Sequence, residues 1–236
     1  MSRNTSFQDG TVARVVLAPF KFALASSLAL AGLLLVAWTV SWLLVDQVAG
    51  GRVAGMRELL RLEMASGSAL VEKQGFFVES ITAFGNGLYA LVFEASGLHA
   101  MGQRFAHGAA LSIPDTVLRR TWLARQEEIE VAMLGTQLVG LRAGILARFL
   151  PLIALLYLVG AVDGLARRAI RRTQAARESA SLYHRAKYAQ VMVVTLGISA
   201  LLTWPRPVNW AACILVGSVL LGVLAAAQWA FYKKHF

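Results

Sequence analysis

From Phe22 to Val45 the chain runs for 24 residues without a charged side chain. About 20 residues of α-helix cross the hydrocarbon core of a bilayer. A run of this length is read as a membrane-crossing helix. Three more apolar segments follow, at 143–163, 188–204 and 208–232. Hydrophobic residues make up 57% of the chain and charged residues only 15%, a balance that soluble domains do not need. A basic tail before the first run would also suit a signal peptide. The run is longer than a signal peptide's apolar region, however, and Trp38 and Trp42 stand near its end as an interfacial belt does. It is therefore read as an uncleaved first span, with Pro19 and Lys21 at its start.

Orientation follows from the cations. Gly164 to Tyr188 holds Arg167, Arg168, Arg171, Arg172, Arg177, Arg185 and Lys187 against the single acid Glu178. Loops this basic stay on the cytoplasmic side of an inner membrane. The net charge of +10 has the same origin, so it is no signature of nucleic-acid binding. Between Gln47 and Arg142, nine cations balance nine acids, and a long balanced loop can be translocated. The expected fold is an all-α membrane protein with four transmembrane helices and a helical periplasmic domain between spans 1 and 2. In order, this gives a cytoplasmic tail (1–21), span 1 (22–45), the periplasmic domain (46–142) and span 2 (143–163). A basic cytoplasmic loop (164–187), span 3 (188–204), a periplasmic turn (205–207), span 4 (208–232) and a cytoplasmic tail (233–236) complete it. The chain is read as bacterial, in the inner membrane, with both termini cytoplasmic.

Within 46–142 the pattern is helical. Met56, Leu59, Leu60, Met64 and Leu70 recur at three- and four-residue spacings, with Arg57, Glu58, Arg61 and Glu63 between them. Phe76–Leu98 is apolar but carries Glu79, Asn86 and Glu94. Carboxylates are costly in lipid, which favours one or two amphipathic helices, with a membrane-embedded segment as the other reading. Gly85-Asn86-Gly87 reads as a turn or break. Asp115, after Pro114, is placed to cap a helix that continues from Val117 through span 2. Pro151 would kink it, Arg148 would snorkel to the outer interface, and Asp163 and Arg167 are spaced to pair. Trp204 and Trp210 flank the Pro205-Arg206-Pro207 turn. Gly51/Gly55, Gly140/Gly144 and Gly160/Gly164 have the spacing that lets helices approach closely.

Nothing in the sequence marks a reaction. The single cysteine, Cys213, excludes an internal disulfide. His99, His107, His184 and His235 lack metal-ligand spacing, and no phosphate-cradling loop or nucleophile motif occurs. The expectation is a non-enzymatic subunit without catalytic residues, cofactor or metal. A small transporter or channel subunit is the alternative, and it requires polar groups converging at mid-membrane. The spans offer only mild ones, such as Ser26, Thr39 and Thr195. The candidate site is the basic loop: Arg171, Arg172, Arg177, Glu178, Tyr183, His184, Arg185 and Lys187. Leu182, Ala186 and Ala189 share one helical face there, with Arg177, His184 and Arg185 on another. Two occupants suit it equally, anionic lipid headgroups or an acidic face of a cytoplasmic partner. Direct DNA binding is a weaker third, with few aromatics available for stacking.

RESASLYHRAK at 177–187 resembles a motif of integrating conjugative element membrane proteins, a family of unknown function. LYALVFEASGLHAM at 88–101, SIPDTVLRRT at 112–121, EEIEVAMLGTQLVGLR at 127–142 and AQWAFYKKH at 227–235 resemble the same family. The resemblance covers roughly Leu88 to Phe236. It implies an inner-membrane component of a conjugative type IV secretion system, encoded near a TraD-type coupling ATPase and suggesting that ATPase as partner. The family has no established activity, so the resemblance carries over no catalytic residue.

Overall fold

A computed structural model of the 236-residue chain describes residues 5–44, 51–69, 75–106, 113–173 and 180–232. Eight α-helices account for nearly all of them: α1 (Thr5–Leu44), α2 (Arg52–Ala69), α3 (Gly75–Tyr89), α4 (Leu98–Ala106), α5 (Ile113–Ala124), α6 (Gln126–Thr173), α7 (Ala180–Thr203) and α8 (Trp210–Ala230). A π-helical turn, Ala90–Glu94, continues α3. There is no strand among the described residues. Four helices are long and apolar enough to cross a membrane: Lys21–Leu44 of α1, α6, Ser181–Thr203 of α7, and α8.

The axis of the molecule is α6. Its 48 residues extend for about 72 Å, more than twice the hydrocarbon thickness of a bilayer. The two halves have different neighbours. From Val131 to Ile145 the helix is largely buried, with α1, α2 and α3 around it. Leu34 and Ala37 of α1 pack on Val139, and Trp38 donates its indole N–H to the Thr136 hydroxyl at 3.0 Å. Met56 and Leu59 of α2 pack on Val131 and Leu138. Beyond Phe149 the apolar side chains turn outward: Leu155, Leu158, Val159 and Val162 are each more than half exposed. In water such a surface would aggregate, so its place is against other apolar material.

Glycines set how closely α6 meets its neighbours. A Cβ on Gly140 would stand 2.7 Å from the Phe84 carbonyl of α3, and one on Gly160 would stand 2.0 Å from the Gly222 carbonyl of α8. A Cβ on Gly164 would meet the Ala226 carbonyl at 2.4 Å. The second and third small-residue pairs of the sequence are therefore helix contacts, on two different partners. A Cβ on Gly51 of the first pair would meet nothing within 4 Å. Parallel to α6, α8 runs from Trp210 and Ile214 beside Leu141 and Ile145 to Ala230 beside Gly164. α7 runs the other way, its end against Val139 and its start, at Tyr183, against Tyr232.

Several sequence readings need correction. The expected break at Gly85-Asn86-Gly87 is absent, because α3 continues through it. Gly85 is there for close approach: a Cβ would meet the Gln137 carbonyl at 3.2 Å. The chain turns at Gly97 instead, with φ +77°, a conformation that glycine takes without strain. The helix expected to run unbroken from Val117 is interrupted at Arg125. On the near side of that turn α5 is tied to α4, by Arg119 Nε donating to the Phe105 carbonyl at 3.1 Å and by Trp122 edge-on to Phe105. The helix before it starts at Ile113, so Asp115 lies within the first turn rather than ahead of it. Within the 1–21 tail the chain is helical from Thr5 onward, and the 164–187 segment is helical to Thr173 and again from Ala180, the second stretch as the spacing of Leu182, Ala186 and Ala189 implies.

The Gly160 contact yields a direct test. Gly160→Ala forces two backbones apart, and we expect a loss of about 1–3 kcal/mol, the usual cost of overpacking. Gly197→Ala, where a Cβ meets nothing within 4 Å, should be neutral or gain up to about 1 kcal/mol from helix propensity. Thermal unfolding of both variants in one detergent checks the pair. Equal midpoints would remove Gly160 from the packing argument.

Candidate functional site

Two charged constellations emerge from the fold, one closed and one open. The closed one is Glu63 of α2 against Arg142 of α6, both fully buried. Arg142 directs Nε and Nη2 at Glu63 Oε1. Its Nη1 donates to the carbonyls of Leu201, at 3.0 Å, and Trp204, and its second Nη2 proton goes to the Arg206 carbonyl at 2.8 Å. Glu63 Oε1 also accepts from the Val208 N–H at 3.1 Å, and Oε2 accepts from the Trp210 indole at 2.7 Å. All five guanidinium N–H groups are thus engaged. The pair is a fastening between α2, α6 and the α7–α8 connection, with no donor left for a ligand.

Sequence reasoning counted both residues in a long loop of balanced charge, with Glu63 among the charges between the apolar positions. The structure places them in the core. The signal was present in the spacing: Glu63 lies seven residues after Met56 and four after Leu59, on the apolar stripe itself. Trp210 follows the Pro205-Arg206-Pro207 turn, as the sequence implies, and is 1% exposed because its indole serves Glu63. Contrast Glu58 and Arg61, one turn away on the surface and 2.7 Å apart. Hydrogen bonding from Arg61 lowers the Glu58 pKa below the ordinary carboxylate value, yet both groups stay in solvent and such pairs contribute little.

The open constellation lies where α6 ends, α7 begins and α8 ends. Asp163 and Arg167 pair at 2.9 Å, as their spacing implies. Arg168 sits over the Tyr232 ring at 5.4 Å, and Arg171 stacks on Phe231 at 4.0 Å. Tyr183 meets Tyr232 edge-on at 5.7 Å and its own neighbour His184 at 5.3 Å. Arg172, His184, Arg185 and Lys187 are exposed, while Ala186 is buried and Leu182 is 42% exposed. Arg177 and Glu178 lie outside the described residues. Of the predicted set, Arg171 and Tyr183 are thus drawn onto the α8 aromatics and the other described cations remain outward. The sequence reading passed over Phe231 and Tyr232 as partners, which only the parallel course of α8 reveals.

This end is also short of hydrogen-bond partners. Arg168 Nε and Nη2, Gln190 Nε2, Gln228 Oε1 and Trp229 Nε1 are buried without one among the described residues.

Residues 54–233 match a protein family described as IncC plasmid conjugative DNA transfer protein DtrJ-like. The chain belongs to the DtrJ-like family. The match runs from the start of α2 to just beyond α8, so both constellations fall inside the DtrJ-like region and α1 precedes it. Membership places the chain among proteins of conjugative DNA transfer, the level at which the motif resemblance agrees with it. It also reaches further back than Leu88, where that resemblance begins. No curated protein and no solved structure matches the chain.

Glu63→Gln leaves the Arg142 charge buried without its counter-ion, and we expect a cost of about 3–5 kcal/mol. Glu58→Gln, five residues earlier and exposed, should leave the unfolding transition close to that of wild type. Denaturant unfolding in detergent measures both. Similar small effects would show that the buried pair does not hold the fold.

Proposed function

We propose that this DtrJ-like protein is a non-enzymatic, multi-pass inner-membrane subunit of a conjugative DNA-transfer apparatus. In this reading α1, the second half of α6, α7 and α8 cross the bilayer. The α2–α5 region lies on the periplasmic side, and both termini and the 164–187 segment are cytoplasmic. The observation that carries the reading is the coincidence of family and surface. A conjugative-transfer family member has four membrane-length helices, and three of their ends converge on one strongly basic face. Cations outnumber acids there for a physical reason, since transfer across an energised membrane selects against them.

The partner we propose is the coupling ATPase of the apparatus, of TraD type, in a type IV secretion system such as those of integrating conjugative elements. Arg172, Arg185 and Lys187 are exposed and suit an acidic cytoplasmic surface. Long cationic side chains at an interface rim steer association and set register. The protein would then act as a fixed membrane seat for a motor that handles the DNA itself.

Two experiments test this. For orientation, Cys213→Ala removes the one cysteine, and Lys187→Cys and Arg125→Cys are then introduced separately. An impermeant thiol reagent should label Arg125→Cys from the periplasm, and Lys187→Cys only after the inner membrane is opened. The reverse pattern would overturn the topology.

For the partner, the tagged protein is recovered from conjugation-competent membranes in mild detergent and its companions are identified by mass spectrometry. The coupling ATPase should co-purify. Arg172→Glu, Arg185→Glu and Lys187→Glu together should reduce its recovery and the transfer frequency more than about tenfold, equivalent to about 1.4 kcal/mol. Undiminished recovery in a correctly inserted variant would overturn the docking surface.

A further inference from the structure

Between α6 and α8, on the second half of α6, runs an open groove of about 550 Å³. Its walls are apolar: Leu156 and Val159 on one side, Val219, Val223 and Ala227 on the other. Its floor exists because Gly160 and Gly222 let the two backbones touch. Val159, Val219 and Val223 are about half exposed or more, so the groove opens outward along its length. At one end it changes character. Asp163, Arg167 and Arg171 follow at four-residue intervals, and Phe231 closes that end under the Arg171 guanidinium at 4.0 Å.

We infer that this groove binds an anionic phospholipid, with acyl chain along the valines and headgroup phosphate at Arg167 and Arg171. The inference rests on the membrane reading above and adds a defined site to it. Three arguments carry it. First, charge: Asp163 offsets one of the two arginines, at 2.9 Å from Arg167, so the groove end keeps one net positive charge, which suits one phosphate. Among the described residues Arg171 has a ring contact and no ion pair, so its donors remain for the phosphate. Arginine at such a site offers two parallel N–H donors to phosphate oxygens. Second, length: Leu156 to Arg171 spans about 22 Å of helix, and one leaflet with its headgroups is about 20–22 Å thick. Third, position: basic pockets between transmembrane helices on the cytoplasmic side are where acidic headgroups are held. Arg168, over the Tyr232 ring, adds further positive potential at the same end.

The experiment uses the full-length protein in nanodiscs of phosphatidylglycerol and phosphatidylethanolamine with identical acyl chains, read by native mass spectrometry after release. Wild type should retain phosphatidylglycerol over phosphatidylethanolamine by about tenfold. The double variant Arg167→Gln/Arg171→Gln should bring that ratio within about twofold of unity, since both charge-assisted contacts are gone. Ala227→Phe, which fills the groove, should release both lipids. The control Arg57→Gln/Arg61→Gln, on the exposed face of α2, should keep the wild-type ratio. Thermal unfolding in the same nanodiscs establishes that each variant is folded.

A wild-type ratio near one, an unchanged ratio in the arginine double variant, or a lipid-free dimer would each overturn the groove. A wild-type protein that does not enter nanodiscs at all would instead overturn the membrane reading itself.

Discussion

The buried contact between Glu63 and Arg142 is the constraint on which the rest of the architecture depends. Two charges removed from water are unfavourable unless every proton and lone pair finds a partner. Here that requirement recruits the carbonyls of Leu201, Trp204 and Arg206, the Val208 N–H and the Trp210 indole. A helix from the predicted external region is thereby bound to the connection between the last two helices. The geometry is directional, unlike the packing of leucines and valines around it. It fixes the height of α2 and of the α7–α8 turn against α6 in a way that apolar contact alone would not.

Around that fastening, glycine determines distance. Gly140 admits α3 against the first half of α6, and Gly160 and Gly164 admit α8 against the second. In a bilayer, helices gain nothing from leaving lipid for one another unless they pack closely or bond, so small residues become the means of association. One helix thus serves two neighbourhoods. The first half of α6 belongs to a core of polar and apolar contacts; the second belongs to a bundle whose outer side chains are exposed.

Much of this was legible in the sequence. The four long apolar helices follow from composition, because apolar runs of 17 to 25 residues have the length of helices rather than of strands. The Asp163–Arg167 pair and the helical start of α7 follow from spacing. Glu63 and Arg142 were not read as core, because counting charges over a domain ignores which face each charge occupies. Met56, Leu59 and Glu63 share one face, and only the arrival of Arg142 from α6 makes a carboxylate tolerable there. Gly85-Asn86-Gly87 misled for a related reason. Glycine marks either a turn or a close approach, and the two differ only in what lies opposite. At the basic end, the sequence identified the cations but not the aromatic floor that α8 supplies to Arg168 and Arg171.

The acceptors of Arg142 lie about sixty residues further along the chain. During synthesis, therefore, α6 is made and positioned well before the carbonyls that satisfy it exist. Glu63 is already present when Arg142 is made, but the remaining donors and acceptors of the pair arrive only with residues 201–210. The full set of bonds therefore closes only once the last hairpin is in place. A contact that fixes heights in the finished molecule is thus also a record of its assembly order, and a chain interrupted before Leu201 would leave the charges at its centre without those acceptors.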